Sequence, residues 1–134
     1  MKQQDVGPEA VLSLGLHPSA LDYSRYPDLD EATLLARIEA GEAALRAAGF
    51  DIVSCPLPAE PDAAEKQLRS CIANREFRVA MIGAGIRTAP EHTLLFERLI
   101  NTLTDIVPGI RFCFNTSPET TIDALRRWTR PTGE

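Results

Sequence analysis

Short apolar runs alternate four times with longer amphipathic segments along this chain, and this alternation restricts the fold more than any other feature. The largely apolar runs cover residues 11–16, 51–55, 78–82 and 111–114. Runs of this length are typical of buried strands, whereas the longer segments between them show the three- and four-residue spacing of helices. Four strands that each precede a helix predict an α/β domain with one parallel sheet.

The four helices are predicted from local signals at their ends. The first begins within residues 28–31, where an acceptor at the cap and a carboxylate three residues later, Asp28 and Glu31, predict a capping box. It stops at Gly49, a residue type that is common just past a helix. The second begins near Pro61. The third spans residues 89–105 and the fourth spans residues 118–129.

The strand order follows from the third run, residues 78–82, which is apolar almost throughout. Such a strand is covered on both faces and lies inside the sheet. Together with right-handed crossovers, this position predicts the order 2-1-3-4, a shortened relative of the flavodoxin-like winding. We therefore expect one three-layer α/β sandwich over residues 10–130, Rossmann-like or flavodoxin-like, with helices on both faces and loose ends at residues 1–9 and 131–134.

Composition and charge exclude several classes of function. The chain has 134 residues and a net charge of −5, so we expect a single domain and no binding to nucleic acid, which requires a basic surface. No apolar run approaches the ~20 residues that cross a bilayer, and the first residues lack the pattern of a secretion signal. These observations predict a cytoplasmic protein without a membrane partner.

The three cysteines, Cys55, Cys71 and Cys113, are odd in number and widely spaced. This pattern predicts neither a disulfide framework nor a zinc site, and no other metal site is expected. We expect Cys113 in the core, and Cys55 could be exposed at the end of an edge strand. Neither is expected to be a nucleophile, because such a thiol needs a base or a positive environment.

Two strand-to-helix junctions repeat each other. Residues 87–93 are RTAPEHT and residues 115–121 are NTSPETT, identical at four of seven positions. Their threonines and glutamates predict helix caps: Thr88 and Thr116 as N-cap residues, with Glu91 and Glu119 completing capping boxes. Sequences of this kind recur because they start helices well, and this alone would explain the repeat.

A functional interpretation of the repeat depends on where the junctions lie. Strands three and four are expected to be neighbours, so both helix starts would lie at the carboxyl edge of the sheet, where helix amides favour an anion. Arg87 adds a planar cation that suits a carboxylate or a phosphate. The predicted ligand-binding residues are Gly83, Gly85, Arg87, Thr88, Asn115, Thr116 and Ser117.

The glycine turn at residues 83–88, GAGIRT, does not indicate a cofactor. A dinucleotide fingerprint would have a third glycine, would follow the first strand and would be followed by an acidic residue. A phosphate-receiving regulator would carry an acidic residue where Gly83 stands, and a flavin-phosphate loop would need more hydroxyls than residues 17–20 provide. These observations weaken the last two alternatives without excluding them, and we expect no cofactor.

His17 and His92 are the candidates for proton transfer, since histidine titrates near neutral pH. They follow strands one and three, which flank the crevice where such folds usually bind ligands. Arg87 and residues 22–24 would then be within reach. The simpler interpretation is that each imidazole ring hydrogen-bonds a loop.

The predicted third helix, residues 89–105, is more apolar than a single buried face requires. The side chains expected to face the sheet are Leu95, Leu99, Thr102 and Ile106, and those expected to point sideways or outward are Leu94, Phe96, Ile100 and Leu103. This excess predicts a homodimer through the helix. The alternative is that the second helix covers the excess.

The run at residues 81–97, MIGAGIRTAPEHTLLFE, together with CFNTSP at residues 113–118 and Arg127-Trp128, resembles short microbial proteins that have a Rossmann-like or flavodoxin-like core. The resemblance extends over most of residues 11–129. It implies the fold, but no activity is established for that group, so it implies neither a substrate nor a catalytic residue.

Taken together, these patterns predict a small protein that binds an anionic metabolite at the carboxyl edge of its sheet, with or without catalysis. The alternative function, from a different class, is a non-catalytic homodimeric module that interacts through the third helix.

Overall fold

The structure, a computed structural model, describes residues 10–131. Its sheet has four parallel strands: β1 (Ala10–Leu16), β2 (Asp51–Leu57), β3 (Phe77–Ile82) and β4 (Arg111–Phe114). They are arranged in the order β2-β1-β3-β4, so the predicted parallel sheet and its strand order are confirmed. Most of the two termini that were expected to be loose, residues 1–9 and 132–134, lies outside the described residues.

Five helices surround the sheet: α1 (Glu31–Ala47), α2 (Pro61–Ile72), α3 (Ala84–Arg87), α4 (Thr93–Ile106) and α5 (Thr121–Trp128). Four of them match predicted helices. The one-turn helix α3 was not predicted, and it occupies residues that we expected to form only a glycine turn. Four 3-10 turns complete the described chain, and they are Pro18–Ala20, Tyr23–Arg25, Pro90–His92 and Pro118–Thr120.

Each face of the sheet packs against its own pair of helices, which gives the three layers of the predicted sandwich. Successive side chains of a strand point to opposite faces, so alternate residues of β1 and β3 enter different cores. The core beneath α2 and α4 includes Leu12, Leu14, Ala80, Ile82, Leu68, Leu95 and Leu99. The core beneath α1 and α5 includes Val11, Val79, Met81, Leu45, Ala124 and Leu125.

Helix α4 buries more of its apolar surface than the sequence predicted. Leu95, Leu99 and Thr102 are buried as expected, but Leu103 is also fully buried, whereas Ile106 is 37% exposed at the last residue of the helix. Leu103 lies four residues after Leu99 and therefore continues the same helical face. The expectation that Leu103 points outward is wrong.

The neighbouring helix α2 covers part of this excess. Helices α2 and α4 pack side by side, and Arg98 of α4 donates hydrogen bonds to Asp62 and Glu65 of α2. Two further residues of the proposed dimer face, Phe96 and Ile100, are half-buried against the core. Leu94 alone among the four stays open to solvent, with 68% exposure.

A disulfide joins Cys55 in β2 to Cys71 in the last turn of α2. The expectation that no cysteines pair is therefore wrong, and so is that of an exposed Cys55, whose side chain is fully buried. The packing of α2 on β2 places the two Cα atoms 6.2 Å apart, within the usual range for a disulfide. Sequence spacing alone does not reveal that proximity.

Cys113 is the free cysteine, and it is buried in β4 as predicted. Burial raises the pKa of its thiol to about 11. A thiol with such a pKa is protonated at neutral pH and is a poor nucleophile.

Candidate functional site

The candidate site lies at the carboxyl edge, where β3 runs into α3. Gly83 sits between β3 and α3, and its backbone N–H donates to the carbonyl of Leu14 in β1 at 2.9 Å. A Cβ atom on Gly83 would lie 3.4 Å from that carbonyl oxygen, about an ordinary van der Waals contact, so the Gly83 backbone lies directly against β1. A Cβ atom on Gly85 would meet nothing within 4 Å. The Gly85 backbone therefore borders open space.

Asn115 follows β4, and both ends of its side-chain amide form hydrogen bonds within the protein. Its Oδ1 accepts a hydrogen bond from the N–H of Ala84 at 3.0 Å, and its Nδ2 donates to the hydroxyl of Thr121 at 2.8 Å. The residue is 6% exposed. It therefore ties the first residue of α3 to the first residue of α5, and both ends of its amide already have a partner.

The guanidinium of Arg87 is held against the end of β4. Its Nη2 donates to the carbonyl of Asn115 at 2.6 Å, and its Cζ lies 5.3 Å from the centre of the Phe114 ring, which is a cation–π distance. Its Nε is buried without a hydrogen-bond partner. No carboxylate of residues 10–131 forms an ion pair with this cation, so its charge is not neutralised locally.

The predicted N-cap roles of Thr88 and Thr116 are wrong. Thr88 ends α3 instead, where its hydroxyl donates to the carbonyl of Ala84 at 2.7 Å. The backbone N–H of Thr116 donates to the hydroxyl of Thr120 at 2.9 Å. In each junction the proline begins a 3-10 turn that precedes the α-helix, so the threonine lies too early in the chain to cap that helix.

Ser117 caps the second of these turns. It forms a capping box with Thr120, three residues later, rather than contributing to a box completed by Glu119. The hydroxyls of Thr88, Thr116 and Ser117, which were predicted to bind a ligand, therefore form hydrogen bonds within their own junctions. Their part in binding a ligand stays a prediction.

The glutamates of the repeated junctions bind arginines from the segment between β1 and the middle of α1. Glu91 pairs with Arg25 at 2.7 Å, and Glu119 pairs with Arg37 through two hydrogen bonds of 2.7 and 3.0 Å. The predicted capping boxes of Glu91 and Glu119 are therefore wrong. The repeat instead provides two anchors that hold the β1–α1 segment to the junctions after β3 and β4. Because these contacts are distant in sequence, local patterns could not reveal them.

The Arg37–Glu119 pair makes a testable pH prediction. The hydrogen bonds from Arg37 lower the pKa of Glu119 from 4.5 to about 2. A carboxylate whose pKa is lower in the folded chain stabilises the fold above its unfolded pKa, and that contribution is lost as pH falls from 4.5 toward 2. Both side chains are half-exposed, so we expect a loss of at most about 1 kcal/mol.

The measurement is an NMR titration of the Glu119 side-chain carboxyl carbon. Arg37→Gln should raise the pKa of Glu119 toward its ordinary range, while Arg69→Gln, which breaks a different ion pair, should leave it low. A wild-type midpoint near the ordinary value would contradict the pairing.

The two candidate histidines do not join Arg87. His17 is exposed, and its Nδ1 accepts the backbone N–H of Ser19 at 3.1 Å and lies 2.8 Å from the Ser19 hydroxyl. His17 thereby caps the turn that follows β1, which favours the simpler interpretation. His92 is half-buried just before α4, and its ring forms no hydrogen bond with residues 10–131. Arg87 turns toward β4 and away from β1, so the expected cluster of His17, His92 and Arg87 is not connected by hydrogen bonds.

Within residues 10–131 there is no group of three or more histidine, cysteine, aspartate or glutamate side chains that could hold a metal ion. Over the same range, no helix has both the length and the apolar character needed to cross a bilayer. Comparisons with protein-family models, with curated proteins and with solved structures found no match to this chain.

Proposed function

We propose that this protein binds a small anionic metabolite at the carboxyl edge of its sheet, with Arg87 as the residue that receives the anion. The observation that carries the proposal is the state of the Arg87 guanidinium, which is half-buried, lacks a carboxylate partner among the described residues and has a buried Nε without an acceptor. An incompletely solvated cation without a counter-ion is costly, and a bound anion would remove that cost.

The surroundings of Arg87 favour recognition of a planar or tetrahedral anion. The Asn115 carbonyl and the Phe114 ring hold the guanidinium in one place, so little side-chain entropy is lost on binding. Its remaining N–H groups match the oxygens of a carboxylate or a phosphate. The open space beside Gly85 would let the ligand approach the backbone of α3.

The proposal assigns different roles to the seven residues named from the sequence. Arg87 and the backbone at Gly85 would contact the ligand. The other five would position these two, because they hydrogen-bond or pack against neighbouring residues of the protein. These five are Gly83, Thr88, Asn115, Thr116 and Ser117.

A thermal-shift screen against phosphorylated and carboxylated metabolites tests this assignment. A ligand at about 100 times its dissociation constant should add roughly 2.7 kcal/mol of stability to the wild-type protein, a shift of several degrees. In Arg87→Ala the same ligand should give no shift relative to that variant alone. Arg126→Ala is the matched control, because Arg126 is exposed and its side chain has no partner among the described residues.

Arg87→Lys refines the result. It keeps the charge but not the planar fork, so we expect partial retention of the shift. A metabolite whose shift is equal in wild type and Arg87→Ala would bind elsewhere and would contradict the assignment.

Catalysis is a separate matter from binding. His17 and His92 remain the candidates for proton transfer if the bound metabolite reacts, and His92 is the better placed of the two because its ring has no competing hydrogen bond among the described residues. No set of the described residues defines a reaction, so the proposal concerns binding.

Two further expectations stay predictions. The homodimeric module now depends on Leu94, since Leu103 is in the core and Phe96 and Ile100 are half-buried. The cytoplasmic location also stays a prediction, and the Cys55–Cys71 disulfide counts against it, because stable disulfides are uncommon in a reducing compartment.

A further inference from the structure

A concave region lies at the opposite end of the sheet from Arg87. The end of α2, the start of β3, the end of α4 and the turn before β4 enclose a cleft of about 740 Å³. Small-molecule sites typically have volumes of about 300–1,000 Å³, so this cleft is large enough for an organic ligand. We call it the amino-edge cleft because it lies at the end of the sheet where β3 begins, whereas parallel α/β sheets usually bind ligands at the carboxyl edge.

The charges that line the amino-edge cleft are mainly positive, in a chain whose net charge is −5. Arg69, Arg75 and Arg78 contribute three guanidinium groups, and Glu76 contributes one carboxylate. Each guanidinium carries five N–H donors, so donors greatly outnumber the acceptors among these side chains. A ligand rich in acceptor oxygens would therefore be favoured.

Arg78 differs from the other two arginines of the cleft. Arg69 binds Glu65 and Arg75 binds Asp51, so both of these charges are already neutralised. The Arg78 side chain is exposed and has no hydrogen bond or ion pair with any residue of 10–131, Glu76 included. It is thus the cation of the cleft that is available to an anion.

Part of the lining of the amino-edge cleft is apolar. Ile72 comes from α2, Ile106 from α4, and Val107 and Ile110 from the turn before β4. Ile106 is exposed although it ends a strongly apolar helix, so covering it would remove apolar surface from water. These apolar side chains beside the unpaired guanidinium of Arg78 match a molecule with an apolar body and one anionic end.

We propose that the amino-edge cleft binds a small organic carboxylate with an apolar body, its carboxylate paired with Arg78 and its body placed against Ile106 and Ile110. This site is independent of the site at Arg87. Six residues of β3 separate the two edges, a length of roughly 17 Å at ~3.3 Å per residue. Failure of one proposal therefore leaves the other intact.

The experiment is a titration of the full chain with 4-phenylbutanoate, followed by ¹H–¹⁵N NMR spectra. The backbone amides of Arg78 and Ile110 should shift in a saturable way by about 10 mM ligand, as expected for dissociation constants near 1 mM. The neutral analogue 4-phenylbutanamide should bind about tenfold more weakly, because it cannot form the charge-assisted pair.

Two variants and a matched control locate the contact. Arg78→Gln should weaken 4-phenylbutanoate binding about tenfold, and Ile106→Asn should weaken it several-fold by removing part of the apolar wall. Both positions are exposed, and the dispersion of the NMR spectrum verifies that each variant is folded. Arg126→Gln, the same charge change on α5, should bind as the wild type does.

Three results would overturn the proposal. They are the absence of saturable shifts at these amides, equal binding of the acid and its amide, and unchanged binding of the acid by Arg78→Gln. Phosphorylated metabolites that respond to Arg87→Ala but not to Arg78→Gln would still support the carboxyl-edge site.

Discussion

Replacing Cys71 with serine is expected to lower the free energy of unfolding by about 3 kcal/mol. The disulfide with Cys55 closes a loop with a sequence separation of 16 residues, and cross-linking a loop of this length restricts the unfolded chain by about that amount. For a domain of this size the melting temperature should fall by roughly 10 °C. Thermal and urea unfolding of the two proteins measure the difference.

Reduction provides the control for that substitution. Treating the wild type with a dithiol reductant in denaturant and refolding it under reducing conditions should give the same loss, while reductant should not change the melting temperature of Cys71→Ser. Thiol counting in denaturant should find one thiol before reduction, that of Cys113, and three after it. Three thiols in the unreduced protein, or a melting temperature unaffected by full reduction, would contradict the predicted role of the disulfide.

The position of this disulfide explains why its loss matters. Strand β2 is at the edge of the sheet and pairs only with β1. Pro56 lies within β2, where an edge strand tolerates a residue without a backbone N–H, and the Leu57 carbonyl still accepts the N–H of His17 at 2.8 Å. Beyond this pairing with β1, β2 is held by its packing against α2. The covalent link between Cys55 and Cys71 fixes that packing. We expect reduction to loosen β2 and α2 before the rest of the domain.

The architecture was predictable because it depends on patterns that are local in sequence. The apolar run at residues 78–82 indicated a central strand, and right-handed crossovers then left one strand order. The end of α1 was also predictable, since Gly49 adopts a positive φ of 98° just after the helix. Its start was predicted only to within two residues, because the N-cap is Asp30, which accepts a hydrogen bond from the N–H of Thr33, and not Asp28 with Glu31. In each case the residue and its partner lie within a few positions of each other.

The details of the candidate site were less predictable because they depend on contacts between distant segments. The glutamates of the repeated motif were expected to bind the backbone N–H groups of Thr88 and Thr116, but they pair with arginines 66 and 82 positions earlier in the chain. No local pattern assigns Arg25 to Glu91 or Arg37 to Glu119. The same is true of the Cys55–Cys71 pair, whose proximity is created by the packing of α2 on β2.

Asn115 was singled out from the sequence, but its hydrogen-bond partners were not. Its place after β4 indicated importance at the carboxyl edge, and we expected its amide to bind a ligand. The residue that changes this interpretation is Thr121, which lies six positions later and whose hydroxyl accepts the Asn115 amide N–H. In the sequence Thr121 stood out only as part of a helix start.

Asn115→Ala is expected to lower the free energy of unfolding by about 2–3 kcal/mol. The substitution removes two hydrogen bonds from a site that is almost fully buried, and it leaves the Ala84 N–H and the Thr121 hydroxyl without the partners they have now. Unpaired buried polar groups cost about 1–3 kcal/mol each, less whatever water can recover. Urea unfolding monitored by Trp128 fluorescence, with circular dichroism as a second probe, measures the loss.

Thr121→Val separates a positioning role of Asn115 from direct contact with a ligand. This variant removes one of the two hydrogen bonds, keeps the Asn115 amide and should cost about 1 kcal/mol. If Asn115 positions α3 and Arg87, the metabolite found with Arg87 should bind more weakly to both Thr121→Val and Asn115→Ala, in proportion to their loss of stability. If Asn115 touches the ligand, binding should fall in Asn115→Ala and stay unchanged in Thr121→Val. The second result would overturn the scaffold role assigned here, because the amide would then have to leave Ala84 or Thr121 when the ligand arrives.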